Sequence, residues 1–85
     1  MIPIQDLLNR IRWDPEFGRA SFRLGYWDRV DQRVVQVPFH RLHFPEGDHF
    51  AFDLEDLEGE VHHVPLHRVR DVYRDGKLIW HREPH

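Results

Sequence analysis

Apolar positions near the start of the chain recur with the period of a helix. Ile4, Leu7, Leu8 and Ile11 fall on one face, while Gln5, Asp6, Asn9, Arg10 and Arg12 fill the other. Pro3 suits the first helical position, where a backbone N–H would find no intrahelical partner anyway. Pro15 pushes Asp14 away from helical angles, so the spacing predicts a helix that stops near Trp13.

Beyond that point the period changes to two. Ala20, Phe22, Leu24 and Tyr26 alternate with Ser21, Arg23, Gly25 and Trp27, which predicts a strand with one apolar face. Val34 to Val37 predicts a second strand, and Phe50, Phe52 and Leu54 a third. Glu58-Gly59 turns the chain into a fourth, Val61 to Leu66. Asp75-Gly76 is a two-residue hairpin signal between Val72-Tyr73 and Leu78-Ile79-Trp80. The pattern therefore predicts an α+β domain. Its N-terminal helix is followed by a five- to six-stranded, mostly antiparallel sheet, open or rolled into a partial barrel. With 85 residues and no linker or low-complexity tract, residues 1–85 read as a single domain.

One pattern occurs twice. Val37-Pro38-Phe39-His40-Arg41-Leu42 and Val64-Pro65-Leu66-His67-Arg68-Val69 share the order Val-Pro-apolar-His-Arg-apolar. Each copy follows a β-rich stretch and leads towards a glycine turn, at Gly47 and at Gly76. Proline cannot donate to a β-ladder, so each is expected to end its strand's pairing. The echo reads as a duplicated strand–turn–strand unit within one sheet, or as chance similarity.

Composition narrows the function classes. Cysteine is absent, which excludes disulfide frameworks, zinc ribbons and thiol chemistry, and fits a reducing cytosol. No apolar run reaches the roughly 18 residues of a membrane span, and the start lacks a signal peptide's basic region. A cytoplasmic location is therefore expected, with no membrane partner. The formal net charge of −3 lacks the bulk basic footprint of a duplex DNA binder. Protonating the eight His would reverse that sign, so any anion site must be local.

Candidate chemistry begins with the two His-Arg pairs. An Arg fork matches two phosphate or carboxylate oxygens, and a neighbouring His can donate a hydrogen bond. The same side chains can also merely cap carbonyls at a turn. Trp13-Asp14 at the helix end either closes the core or offers a stacking ring beside a carboxylate. Tyr26 and Trp27 are adjacent in a strand and point to opposite faces, so one ring turns towards solvent or a groove. Asp28-Arg29 is either a turn salt bridge or part of a nucleotide clamp. His62 and His63 likewise face opposite ways, His81 and His85 read as solvated, and no strict zinc spacing occurs; no metal or cofactor is expected. Nucleophile elbow, P-loop and paired His-x-Ser/Thr motifs are missing. His40 with His67 as acid and base is chemically conceivable, though nothing in their spacing requires it. The chain reads as a binding module more than as an enzyme.

Several segments taken together carry a resemblance. They are M-I-P-I-Q-D-L-L-N-R-I-R-W-D at 1–14, G-Y-W-D-R at 25–29, V-P-L-H-R-V-R at 64–70 and D-G-K-L-I-W at 75–80. In order and spacing they resemble the RNA cyclic-group end recognition domain, a small archaeal and bacterial domain also found fused in larger eukaryotic proteins. The resemblance spans essentially the whole chain. It implies binding of RNA 3′ ends that bear a 2′,3′-cyclic phosphate, beside enzymes that repair or process RNA. Carried over by position, it implies ligand-binding roles for Trp13, Asp14, Tyr26, Asp28, Arg29, His67, Arg68 and Trp80. His40 and Arg41 are secondary candidates.

Such a site has a coherent physics. A cyclic phosphodiester carries one charge and two free oxygens, suited to an Arg fork with a His donor. A pocket without acceptors for the 2′ and 3′ hydroxyls would penalise an ordinary end by about 1–3 kcal/mol for each. Two other readings stand beside it. One is a protein–protein adaptor that uses an exposed Trp27 and a sheet edge. The other is a small phosphodiesterase or ribonuclease that uses His40 and His67.

Overall fold

The computed structural model describes residues 2–83, so His85 lies outside the described residues. Helix α1 spans Ile4–Trp13 and buries Ile4, Leu7, Leu8 and Ile11, the four positions the periodicity selected. Asp14 follows in an extended conformation, as Pro15 demands. A 3₁₀ turn at Phe17–Arg19 then packs against the helix end. Gly18 allows this approach, because a Cβ there would collide with the Ile11 carbonyl oxygen.

Seven strands follow: β1 Phe22–Asp28, β2 Arg33–Pro38, β3 Leu42–His43, β4 Ala51–Glu55, β5 Val61–Pro65, β6 Val69–Arg74 and β7 Lys77–His81. All neighbours pair antiparallel. They form two sheets, a four-stranded one in the order β2-β1-β6-β7 and a three-stranded one in the order β3-β4-β5. This is the α+β architecture expected, with the strands divided between two sheets and no closed barrel. The additional strand is β3, whose two residues are too few to show a period of two.

The duplicated pattern has a clear structural meaning, and it differs from the one-sheet reading. Val37-Pro38 ends β2, the 3₁₀ turn Phe39–Arg41 follows, and β3 opens at Leu42 in the other sheet. Val64-Pro65 ends β5, the 3₁₀ turn Leu66–Arg68 follows, and β6 opens at Val69 back in the first sheet. The two prolines adopt nearly the same angles, φ −64° and ψ 140° at Pro38 and φ −64° and ψ 144° at Pro65. The Leu42 N–H donates to the Phe39 carbonyl, and the Val69 N–H to the Leu66 carbonyl. Each copy is thus a corner. The first carries the chain from the larger sheet to the smaller, and the second returns it.

The core lies between the sheets and under α1. Leu24, Phe52, Val69 and Val72 are fully buried there. At the Asp75-Gly76 turn both residues have positive φ, 50° and 83°, which the tight hairpin between β6 and β7 requires. Ser21 and Asp75 exchange hydrogen bonds across the base of that hairpin, tying it to the entry of β1.

Candidate functional site

A cleft of about 630 Å³ opens between the β1–β2 turn and the β4–β5 hairpin. Tyr26, Leu54 and Val64 form its apolar part. Asp28, Arg29 and Asp31 stand on one side, Asp56 and His62 on the other, and Arg68 enters from the second corner. Side chains from both sheets therefore meet here.

Local sequence explains the placement. A β-bulge at Gly25/Tyr26 shifts the pairing of β1 with β6, and the Tyr26 ring packs edge-on against Phe52 with centroids 6.1 Å apart. Burial pushes the Tyr26 phenol pKa up, the charges of Asp28 and Asp31 add to this, and Arg68 opposes it. The Asp28 carboxylate accepts the Val30 and Asp31 N–H groups at 2.8 and 3.1 Å, which folds the β1–β2 turn over the cleft. Asp31 reaches Arg33 at 3.8 Å.

On the opposite wall, Asp56 accepts the N–H groups of Glu58 and Glu60 and shapes the β4–β5 turn. Its second oxygen lies 2.8 Å from His62 Nε2. That hydrogen bond holds the Asp56 pKa below its usual value and raises that of His62. His63 also borders the cleft, but its ring lies 2.7 Å from Asp53 and 3.5 Å from Asp48.

Arg29 and Arg68 are the arginines that line the cleft. Neither forms an ion pair among the described residues. By contrast, Arg41, Arg70 and Arg82 donate to backbone carbonyls of Glu55, His67 and Leu66. Two uncommitted guanidinium groups, a phenol and a protonatable imidazole suit the capture of one anion.

Residues 1–82 match the family model of the MJ1316 RNA cyclic group end recognition domain. The chain belongs to that family. No solved structure matches it. The family match takes in α1, all seven strands and both corners.

Of the residues that the resemblance to this family singled out, Tyr26, Asp28, Arg29 and Arg68 come together in the cleft. The others are elsewhere. His67 opens on a separate apolar hollow beside Ile2, Phe50 and Arg82. The separation follows from the 3₁₀ turn, whose three residues per turn send consecutive side chains roughly 120° apart. Trp80 reaches the same hollow only by its edge. It stands opposite Val72 on the core face, is 5% exposed and donates its indole N–H to the Ile2 carbonyl.

Asp14 spends one carboxylate oxygen on the N–H groups of Glu16 and Phe17 and lies 3.8 Å from Arg10 by the other. Trp13 does not close the core: it is 71% exposed, with the Arg12 guanidinium 4.9 Å from its ring centroid. His40 borders a recess with Phe22 and Phe39, and Arg41 is held by the Glu55 carbonyl. The two His-Arg pairs therefore do not converge on one ligand, and His40 and His67 share no site for acid–base chemistry. Trp27 is half-buried rather than exposed.

Asp31, Asp56 and His62 were missed as site residues. The Asp56–Gly59 turn carried the signal, since a hairpin there pairs Leu54 with His62 and returns His62 to Asp56. Among the described residues, Asp56, Glu60 and His62 form a group that could hold a metal ion, with ligand atoms within 4.8 Å of one another. Asp56 is already committed to its turn and to His62.

Proposed function

We propose that the cleft binds an RNA 3′ end carrying a 2′,3′-cyclic phosphate. The observation that carries this reading is Arg68, which has no carboxylate partner among the described residues and faces Tyr26 between the two sheets. Family membership supports it, because the family is described as recognising RNA cyclic-group ends. Arg68 and Arg29 hold the two free phosphate oxygens by charge-assisted hydrogen bonds, and His62 adds a donor at the rim when protonated. With few arginines in reach, the ligand is a single terminal phosphate rather than a run of backbone, and affinity depends only weakly on salt. Binding rather than turnover is the activity. The same reading puts the protein in the cytoplasm beside enzymes that make or consume such ends.

Short RNAs of one sequence, ending in cyclic phosphate, 3′-phosphate or hydroxyl, are titrated by fluorescence anisotropy. The cyclic end should bind tightest, about tenfold or more above the hydroxyl end. Indistinguishable affinities for all three remove the proposal.

The adaptor is the second reading, favoured by Trp13 and Phe50, which are 71% and 73% exposed. It predicts that Trp13→Ala abolishes partner capture while every RNA affinity stays unchanged.

A further inference from the structure

The cleft is unusually rich in acceptors for an anion site. Asp28 and Asp31 line it from the β1–β2 turn, and Asp56 lines it from the β4–β5 hairpin. Their fields cross the space, for Asp28 acts on Tyr26 from its own side and on His62 from the other. Asp56 is taken up by its turn and by His62, but a free 2′ or 3′ hydroxyl entering here still meets Asp28 and Asp31, whose carboxylates keep acceptor capacity beyond the contacts described above. Missing acceptors therefore cannot penalise an open RNA end, and the basis of discrimination must be sought elsewhere.

Charge supplies it. The charged or titratable groups that face this space are Tyr26, Asp28, Arg29 and Asp31 from β1 and its turn, Asp56, Glu60, His62 and His63 from the β4–β5 hairpin, and Arg68 from the corner. His62 is matched by Asp56, and His63 by Asp53 and Asp48. Glu60 is exposed at the outer edge. That leaves Arg29 and Arg68 as cations, with Asp28 and Asp31 as the neighbouring anions, Asp31 being shared with the exposed Arg33 at 3.8 Å. A ligand of one negative charge can sit between the guanidinium groups. A second negative charge finds no further unmatched cation among the described lining residues and lies close to two carboxylates.

Resting on the RNA-end reading above, we propose that the cleft selects by charge. It accepts singly charged phosphodiester ends, cyclic or open, and rejects doubly charged phosphomonoester ends, with Asp28 and Asp31 supplying the rejection. Ring closure matters because it removes a charge from the terminal phosphate, more than because it removes hydroxyls.

Four probes of one RNA sequence test this: ends bearing a 2′,3′-cyclic phosphate, a 3′-phosphate methyl ester, a 3′-phosphate or a hydroxyl. At neutral pH the cyclic and methyl-ester ends should bind within about threefold of each other, and the 3′-phosphate about tenfold more weakly. At about pH 5 the terminal phosphomonoester has taken up one proton and carries a single charge, and the gap should shrink about threefold or more. At that pH every anionic end carries one terminal charge, so a protonated His62 attracts them comparably and the ratio of affinities is the readout.

The double variant Asp28→Asn, Asp31→Asn should narrow the gap at neutral pH. The amide introduced by Asp28→Asn keeps a carbonyl oxygen able to accept the Val30 and Asp31 N–H groups, so the turn is preserved. Equal binding of phosphate and cyclic ends at neutral pH overturns the inference. So does a methyl ester as weak as the hydroxyl end, which would mean that ring shape is read instead. A gap that neither the variant nor acid alters removes the two aspartates from the account. Should no anionic end exceed the hydroxyl end, the RNA-end reading itself fails and takes this inference with it.

Discussion

The two corners have the same sequence pattern and nearly the same backbone, yet their arginines have different fates. At the first corner Arg41 donates to the Glu55 carbonyl at 2.7 Å and helps fasten the smaller sheet. At the second, Arg68 has no carboxylate partner among the described residues and faces Tyr26 across the cleft. Even the apolar member differs: Phe39 is half-buried among Phe22 and Phe44, whereas Leu66 is buried outright. The shared pattern therefore encodes a bend between sheets. What the bend then does depends on what stands opposite it.

That contrast can be broken at its common part or at its divergent part. The largest effects belong to the common part. Leu42→Ala, at the exit of the first corner, and Leu66→Ala, at the start of the second, each empty a buried site and should cost about 2–5 kcal/mol in chemical denaturation. A loss well below that range at either position would show that its corner is not a core anchor. Next come the arginines. Arg68→Ala should lower affinity for cyclic-phosphate RNA about tenfold or more with little change in melting temperature. Arg41→Ala should leave that affinity intact and lower stability by about 1 kcal/mol. The reverse result would exchange the roles assigned to the corners.

The smallest effect sharpens the cleft's outer wall. By proton NMR, His62 should titrate above its usual 6.5, and Asp56→Asn should bring it back towards that value. The signs follow from the two shifts. The raised His62 contributes stability that is complete below its unfolded pKa and is lost as pH rises through its folded value. The lowered Asp56 contributes stability that is lost as pH falls through its own folded value. The pair is therefore firmest in mild acid, between those two limits.

Much of the fold was legible because it rests on period. The α1 face and the Asp75-Gly76 hairpin depend on spacing and turn chemistry, and both stand where the pattern put them. The division into two sheets was hidden, since a Val-Pro step ends a ladder without saying which neighbours the next strand will take. The candidate cleft was half legible. Tyr26, Asp28 and Arg29 travel together along one strand end, so their assembly is a local matter. Arg68 joins them only through the return corner, and the 3₁₀ geometry that brings it there turns His67 away. Trp80 was misleading because a strand's core face and a binding face look alike when only ring type is considered.

Strand order has one last consequence, for how the protein reaches this state. The smaller sheet is a contiguous meander interposed between the two halves of the larger, so β1 cannot join β6 until the intervening chain has doubled back. Such a closure is entropically slow and is a natural bottleneck in folding. Tyr26 lies on one side of that seam and Arg68 just before the other. Any partly folded species that has formed its local hairpins but not this seam would hold most of the secondary structure and none of the pocket.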